Sequence, residues 1–281
     1  MSAESQYQQA EGKINRFLFK DYEGAMELFE AAAVRFKFAK DYNRAGEAYI
    51  RASDCAVKCK NKLIACQAHA KAVNAYMKTD LNQAAQILDA ATALQIDSNK
   101  LSDAAKLEEE FAEALCKVSR GMEAIPHYEK ATQYFSAENM KYRTQACMAA
   151  MAKIYGENDM FDKALALYEE VGNMAADGSL PYQAKEFFFR AMLCRFAIVT
   201  DDNRLEKGAE ALEALETYMA RDKYLKNTRE TEFLQMCAEA VEGADMNKFD
   251  AAVSLLNDLH MLDEWKSHVL LVVKKNIESI R

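Results

Sequence analysis

The residues of this 281-residue chain best suited to chemistry are four histidines and seven cysteines, and their spacing argues against an active centre. His69, His127, His260 and His268 are scattered; the last two stand eight residues apart with no carboxylate placed to orient both. Cys55, Cys59, Cys66, Cys116, Cys147, Cys194 and Cys237 are an odd set spread through helical patterns, which suits reduced packing thiols better than a disulfide framework. Cys55 and Cys59, at i and i+4 of a helix, share a face and in principle a metal. A structural zinc site wants four ligands, however, and no CxxC or HxxxH stands nearby, so packing is their expected role. GxGxxG, GxxxxGK[ST], HExxH, GxSxG and EF-hand patterns do not occur, and Glu108-Glu109-Glu110 reads as a solvated helix face. No catalytic residue, metal or cofactor is expected.

The elements that carry these residues follow from composition. A 51% hydrophobic chain buries enough surface to offset its ordering entropy, which excludes disorder. Two prolines and nine glycines are too few for many short strands and turns, so long helices are expected. A net charge of -8 with no basic tail argues against nucleic acid as a partner. The opening MSAESQYQQAEGK lacks an apolar core of signal-peptide length, and no stretch approaches the roughly 18 apolar residues of a membrane span. A cytoplasmic location is the expectation.

Internal repetition is the most informative feature. DYEGAMELFEAAAVRF from Asp21, DLNQAAQILDAATALQ from Asp80, GMEAIPHYEKATQYFS from Gly121 and MFDKALALYEEVGNMA from Met160 align, each with an alanine three or four positions before a large apolar residue. Ala25, Ala84, Ala124 and Ala164 mark these segments, and Ala45, Ala65, Ala104 and Ala184 mark the helices between them, giving a half-period near 20 residues. A unit of about 40 residues with two alanine-notched helices describes an antiparallel pair in which alanine lets backbones approach and aromatics fill the gap. This logic is that of the tetratricopeptide repeat in a longer unit. Pro126 falls inside one such helix, where it kinks the helix or occupies its first turn.

Charge is unevenly distributed. Residues 201–264 hold 16 Asp or Glu against 7 Lys or Arg, whereas residues 1–80 hold 13 basic and 10 acidic side chains. This polarity describes either solvated helix faces or two ends that meet partners of opposite sign. Near the start, Phe17-Leu18-Phe19 stands between Arg16 and Lys20. These three residues either pack under the first helix pair or protrude from a loop into a bilayer interface, with the cations attracting anionic headgroups.

Several segments together resemble one family. FDKALALYEEVG followed by LPYQAKEFFFRAMLC, VRFKFAKDYNRAGEAY, and Leu262-Asp263-Glu264-Trp265 with VLLVVKKNIESI are similar, in order and register, to the soluble NSF-attachment proteins over nearly the whole chain. The resemblance implies an all-α, tetratricopeptide-like right-handed superhelix of antiparallel hairpins over residues 1–200, facing SNAREs, and a C-terminal helical bundle over residues 201–281, facing the ATPase. It implies a cytoplasmic, peripherally membrane-associated adaptor that coats the SNARE four-helix complex and recruits the hexameric ATPase NSF to unwind it. The adaptor would be a monomer when free, with several copies per SNARE complex.

Carried over by position, Lys100, Lys106, Lys185 and Arg190 correspond to the family's SNARE-gripping cations. Ala146 before Cys147 replaces a family lysine, leaving Arg143 as the substitute. Phe17, Leu18 and Phe19 correspond to the membrane loop in a shortened form. Glu239 and Glu242 match the NSF-facing carboxylates, with Gly243 in place of a third, and Ile280 stands where the family has a penultimate leucine. The alternative is a generic tetratricopeptide-like scaffold that clamps an extended peptide. An enzyme would instead need a deep pocket with two titratable groups in hydrogen-bond reach.

Overall fold

The computed structural model describes residues 2–257 and 262–279, and the regular elements there are fourteen α-helices and two short 3-10 turns. The 20-residue register is visible in the helix starts. After α1 (Ala3–Ile14) come α2 (Tyr22–Phe38), α3 (Tyr42–Lys58), α4 (Lys62–Tyr76), α5 (Leu81–Asp97), α6 (Leu101–Lys117), α7 (Gly121–Ala137), α8 (Lys141–Glu157) and α9 (Phe161–Ala176). The chain continues through α10 (Ala184–Ala197), α11 (Arg204–Arg221), α12 (Arg229–Gly243), α13 (Met246–Asn257) and α14 (Glu264–Ser279).

All eight alanines that mark the repeat are fully buried. Each of Ala25, Ala45, Ala65, Ala84, Ala104, Ala124 and Ala164 is the fourth residue of its helix. Four residues further on the same face come Phe29, Tyr49, His69, Leu88, Glu108, Tyr128 and Tyr168. Small residues at the notch bring backbones together, and the large residue one turn on fills the space beside it. In α8 the notch position is Thr144, whose hydroxyl donates to the Met140 carbonyl at 3.3 Å.

One connection recurs without glycine. Lys40, Lys60, Asn99, Ser119, Asn139 and Asp159 all have φ between 55° and 61° and stand 20 residues apart, except that Lys60 and Asn99 are 39 apart because the α4–α5 turn has no such residue. At each, the following N–H reaches back to the carbonyl five residues earlier in the Schellman pattern, as Asp41 N to Phe36 O at 2.9 Å and Arg120 N to Leu115 O at 3.0 Å. The same residue then opens the next helix. Asp41 and Asn61 cap it with their side chains, whereas Lys100, Arg120 and Met160 do not. Pro126 lies inside α7 beyond the first turn, so its nitrogen cannot donate to the Met122 carbonyl.

The chain forms two compact units, Met1–Thr144 and Gln145–Arg281. In the first, each helix from α1 to α7 packs on its neighbour in succession, which is the tetratricopeptide-like arrangement. In the second, α9 and α10 form a hairpin, α11, α12 and α14 pack on α10, and α13 packs on α12 and α14. There one continuous core from Ala152 to Ile277 includes Phe188, Met192, Phe233 and Trp265. The functional division expected at residue 200 falls within this second unit, just after α10. Among the described residues, no helix is long and apolar enough to cross a membrane.

Candidate functional site

The five expected SNARE-gripping cations lie on α6, α8 and α10, or at the cap of α6, and the fold treats them differently. Lys106 projects from the middle of α6 with its side chain half exposed, and its nearest carboxylate is Asp103, one turn away, at 3.6 Å. Lys100 occupies the N-cap position of α6 with an ammonium, a group that cannot accept from the helix N–H groups. Arg143 is closely paired with Glu109, a nearly buried carboxylate, and its guanidinium lies 5.1 Å from the Phe135 ring centroid.

On α10, Lys185 meets Glu230 at 2.5 Å. Burial acts to raise the Glu230 carboxyl, but the Lys185 hydrogen bond and backbone N–H outweigh it and hold the group below its ordinary range. Arg190 is the most enclosed of the five. It bonds Glu186 at 2.7 Å and Asp263 at 2.5 Å, and its guanidinium lies over the Trp265 ring at 4.8 Å. Trp265 in turn donates to the Lys153 carbonyl at 3.2 Å and meets Tyr168 edge to face. Arg190 therefore ties α10 to the start of α14, and its charge is shared with two carboxylates inside the unit.

The acidic positions follow from α12. Glu239 and Glu242, at i and i+3, stand on one side of that helix. Glu239 is exposed and pairs with Lys248 at 2.5 Å. The Glu242 main-chain carbonyl accepts from Arg204 at 2.5 Å, and a Cβ at Gly208 would fall 2.8 Å from its Cβ. Ile280 lies outside the described residues. At the other end of the chain, the α1–α2 loop exposes Phe17, Leu18 and Phe19 at 96%, 66% and 91%, so they do not pack under the first helix pair.

Most of the cysteines are held in packing, but Cys59, at the C-cap of α3, is exposed, against the packing role expected of it. Cys55, Cys66, Cys147, Cys194 and Cys237 are buried, and burial raises the Cys55 thiol to about 11 and Cys237 well above its ordinary value, the reverse of an activated nucleophile. No group of three or more potential ligands able to hold a metal occurs among the described residues. His69 bonds the Ser53 hydroxyl at 3.0 Å, and His268 meets Asp159 at 2.8 Å. His260 lies outside the described residues.

Glu108 and Glu109 overturn the solvated-face reading. Glu108 is fully buried, with His127 Nδ1 at 2.6 Å and Lys130 Nζ at 3.6 Å from its carboxylate, while Glu109 is 7% exposed; Glu110 alone faces solvent. The signal was the notch register: Glu108 is four residues after Ala104, where other repeats place Phe29, Tyr128 or Tyr168. His127, which packs edge-on to Phe111, meets one oxygen of that buried carboxylate, and Lys130 on the same next helix stands beside the other, which has no hydrogen-bond partner among the described residues.

Comparison with known proteins identifies the family. The sequence profile of the family described as "Soluble NSF attachment protein, SNAP" matches residues 1–278. The alpha-soluble NSF attachment protein of Vitis vinifera is 31% identical over 276 residues, covering 96% of this chain and 92% of the relative. The beta-soluble NSF attachment protein of Bos taurus is 29% identical over 91% of this chain and 84% of its own, and the vesicular-fusion protein SEC17 of Komagataella phaffii 25% identical over 91% and 85%. A match that starts in α1 and ends in α14 places the chain in the soluble NSF attachment protein family.

Proposed function

We propose that this protein is an adaptor, not an enzyme, that binds assembled SNARE four-helix complexes and recruits an NSF-type ATPase for their disassembly in vesicle fusion. The observation that supports it most is the family match from the first helix to the last. Residues 1–200 would face the SNARE bundle and residues 201–281 the ATPase, through Glu239, Glu242 and Ile280. Several copies, each a monomer when free, would grip one bundle at the membrane surface, with avidity supplied by multivalency.

Within this reading the ion pairs of the fold support an order among the proposed SNARE-facing cations. Lys106 and Lys100 offer charge to a partner, whereas Arg143, Lys185 and Arg190 must share theirs with Glu109, Glu230, and Glu186 with Asp263. Reversing charge at Lys106 and Lys185 should abolish capture of a purified SNARE bundle at low salt, with Lys106→Glu alone accounting for more of the loss than Lys185→Glu. Unchanged capture by the double variant would refute the assignment. Disassembly of a labelled SNARE complex by NSF and ATP should depend on this protein, and independence would refute the adaptor role.

A further inference from the structure

Exposed apolar residues of the first unit stand at several helix ends, Phe38, Ile96, Val118 and Met122 among them. Besides residues 17–19, Val57 and Leu63 are 52% and 50% exposed and bracket the α3–α4 turn. Between them stand Lys58, Lys60 and Lys62, all exposed, with Cys59 and Asn61 alternating. Residues 16–20 and 57–63 together carry five cations and no carboxylate.

The two tips share one end of the first helices. Since α1, α2, α3 and α4 pack in succession, the α1–α2 and α3–α4 connections fall on the same side and the α2–α3 turn on the other. One core cluster joins Ile14, Tyr22 and Met26, which flank the first connection, to Cys55, Ala56, Ile64 and Ala65, which flank the second. The Cys59 thiol is raised by burial first and then by the charges of Glu23 and Asp21, so the second turn lies within electrostatic reach of the start of α2. Of the acids nearby, Glu23 and Asp54 are exposed, and two others are engaged. Asp21 is paired with Lys13 and caps Gly24, and Asp97 meets Lys62 at 2.6 Å in an exposed ion pair that water screens.

We propose that the α3–α4 turn is a second membrane-contacting tip, acting with the residue 17–19 loop on an anionic bilayer. Val57 and Leu63 enter the headgroup boundary while Lys58, Lys60 and Lys62 meet anionic headgroups. The proposal rests on the membrane reading of residues 17–19 and extends it. Three apolar side chains attach weakly and reversibly, whereas two tips on one rigid end bind together, so the second supplies avidity and fixes which way the helices stand on the surface.

Vesicle co-sedimentation tests this, using phosphatidylcholine vesicles with and without phosphatidylserine. Wild type should bind the phosphatidylserine vesicles. Val57→Ser with Leu63→Ser should lower that binding by about fivefold or more, and Lys58→Glu with Lys60→Glu by about tenfold or more. Phe38→Ser, which removes an 86% exposed apolar residue at the opposite end of α2, should leave binding unchanged. An environment-sensitive dye on the exposed Cys59, in a Cys116→Ser background, should shift to the blue on binding. If both α3–α4 variants bind like wild type and the dye reports water, while Phe17→Ser with Phe19→Ser loses binding, the second tip is refuted and the loop reading stands. If the Phe17 and Phe19 variant also binds normally, or wild type binds no vesicle, both are refuted.

Discussion

Arginine 190 and lysine 106 show how two residues expected to serve one partner can have different physical roles. Arg190 stacks on Trp265 and bonds Asp263, 73 residues away in sequence, and Glu186. Its removal leaves Asp263 without the arginine it bonds and an aromatic face without its cover, while Glu186 keeps Lys266 at 3.0 Å. Arg190→Ala should therefore lower the stability of the second unit by about 1–3 kcal/mol, in urea unfolding followed by the fluorescence of Trp265, the chain's one tryptophan. Lys106→Ala, on a half-exposed side chain, should stay within about 0.5 kcal/mol of wild type. Weakened SNARE binding by Arg190→Ala would then be read against its stability, whereas the same loss in Lys106→Ala reports contact directly. Neither distinction was legible in the sequence, where both are cations in helical segments. Glu108 was partly legible, because its distance from Ala104 places it in the buried register; only the fold showed that His127 and Lys130 meet it.

The helices owe their even spacing to the connections as much as to the alanines. Six Schellman turns place non-glycine residues in the left-handed region, which costs roughly 1–2 kcal/mol per residue. Asn99, Asn139 and Asp159 reduce that cost with short polar side chains, but Lys40, Lys60 and Ser119 do not share that advantage to the same degree. Ser119 is exposed. Ser119→Gly should stabilise the first unit by about 0.5–1 kcal/mol, the backbone strain relieved being partly offset by the larger entropy of an unfolded glycine. Denaturant unfolding followed by helical circular dichroism checks it, and a loss of stability would show that the strain is relieved elsewhere. The helix period was legible because every helix from α2 to α9 repeats one local solution: notch, filler, polar turn. The turn conformation was not, since glycine, its usual marker, is absent from all six sites.

Across the whole chain, the acidic later block and the weakly basic start remain the broadest electrostatic feature. Part of the acidic excess is neutralised locally, as Glu230 is by Lys185, Glu239 by Lys248 and Asp263 by Arg190. Exposed charges dominate what is left, and these are screened beyond about 8 Å at physiological ionic strength. Raising salt from low to physiological levels should weaken both SNARE capture and NSF recruitment, mainly by slowing association, as measured by stopped-flow mixing with each partner. Salt-insensitive association would point to apolar contacts instead.

The amino-acid sequence by itself determined the helical class, the half-period near 20 residues and the family, because these depend on local periodicity and on the order of segments along the chain. Only the tertiary structure decided which charged side chains are available to a partner and which apolar ones face water. Arg190 and Asp263, or Lys185 and Glu230, are brought together by packing between distant helices. The α1–α2 and α3–α4 connections share an end only because alternating antiparallel helices return there. A charge or an exposed phenylalanine acquires its role from neighbours that no local pattern names, which is why the repeat could be read along the chain and the surfaces could not.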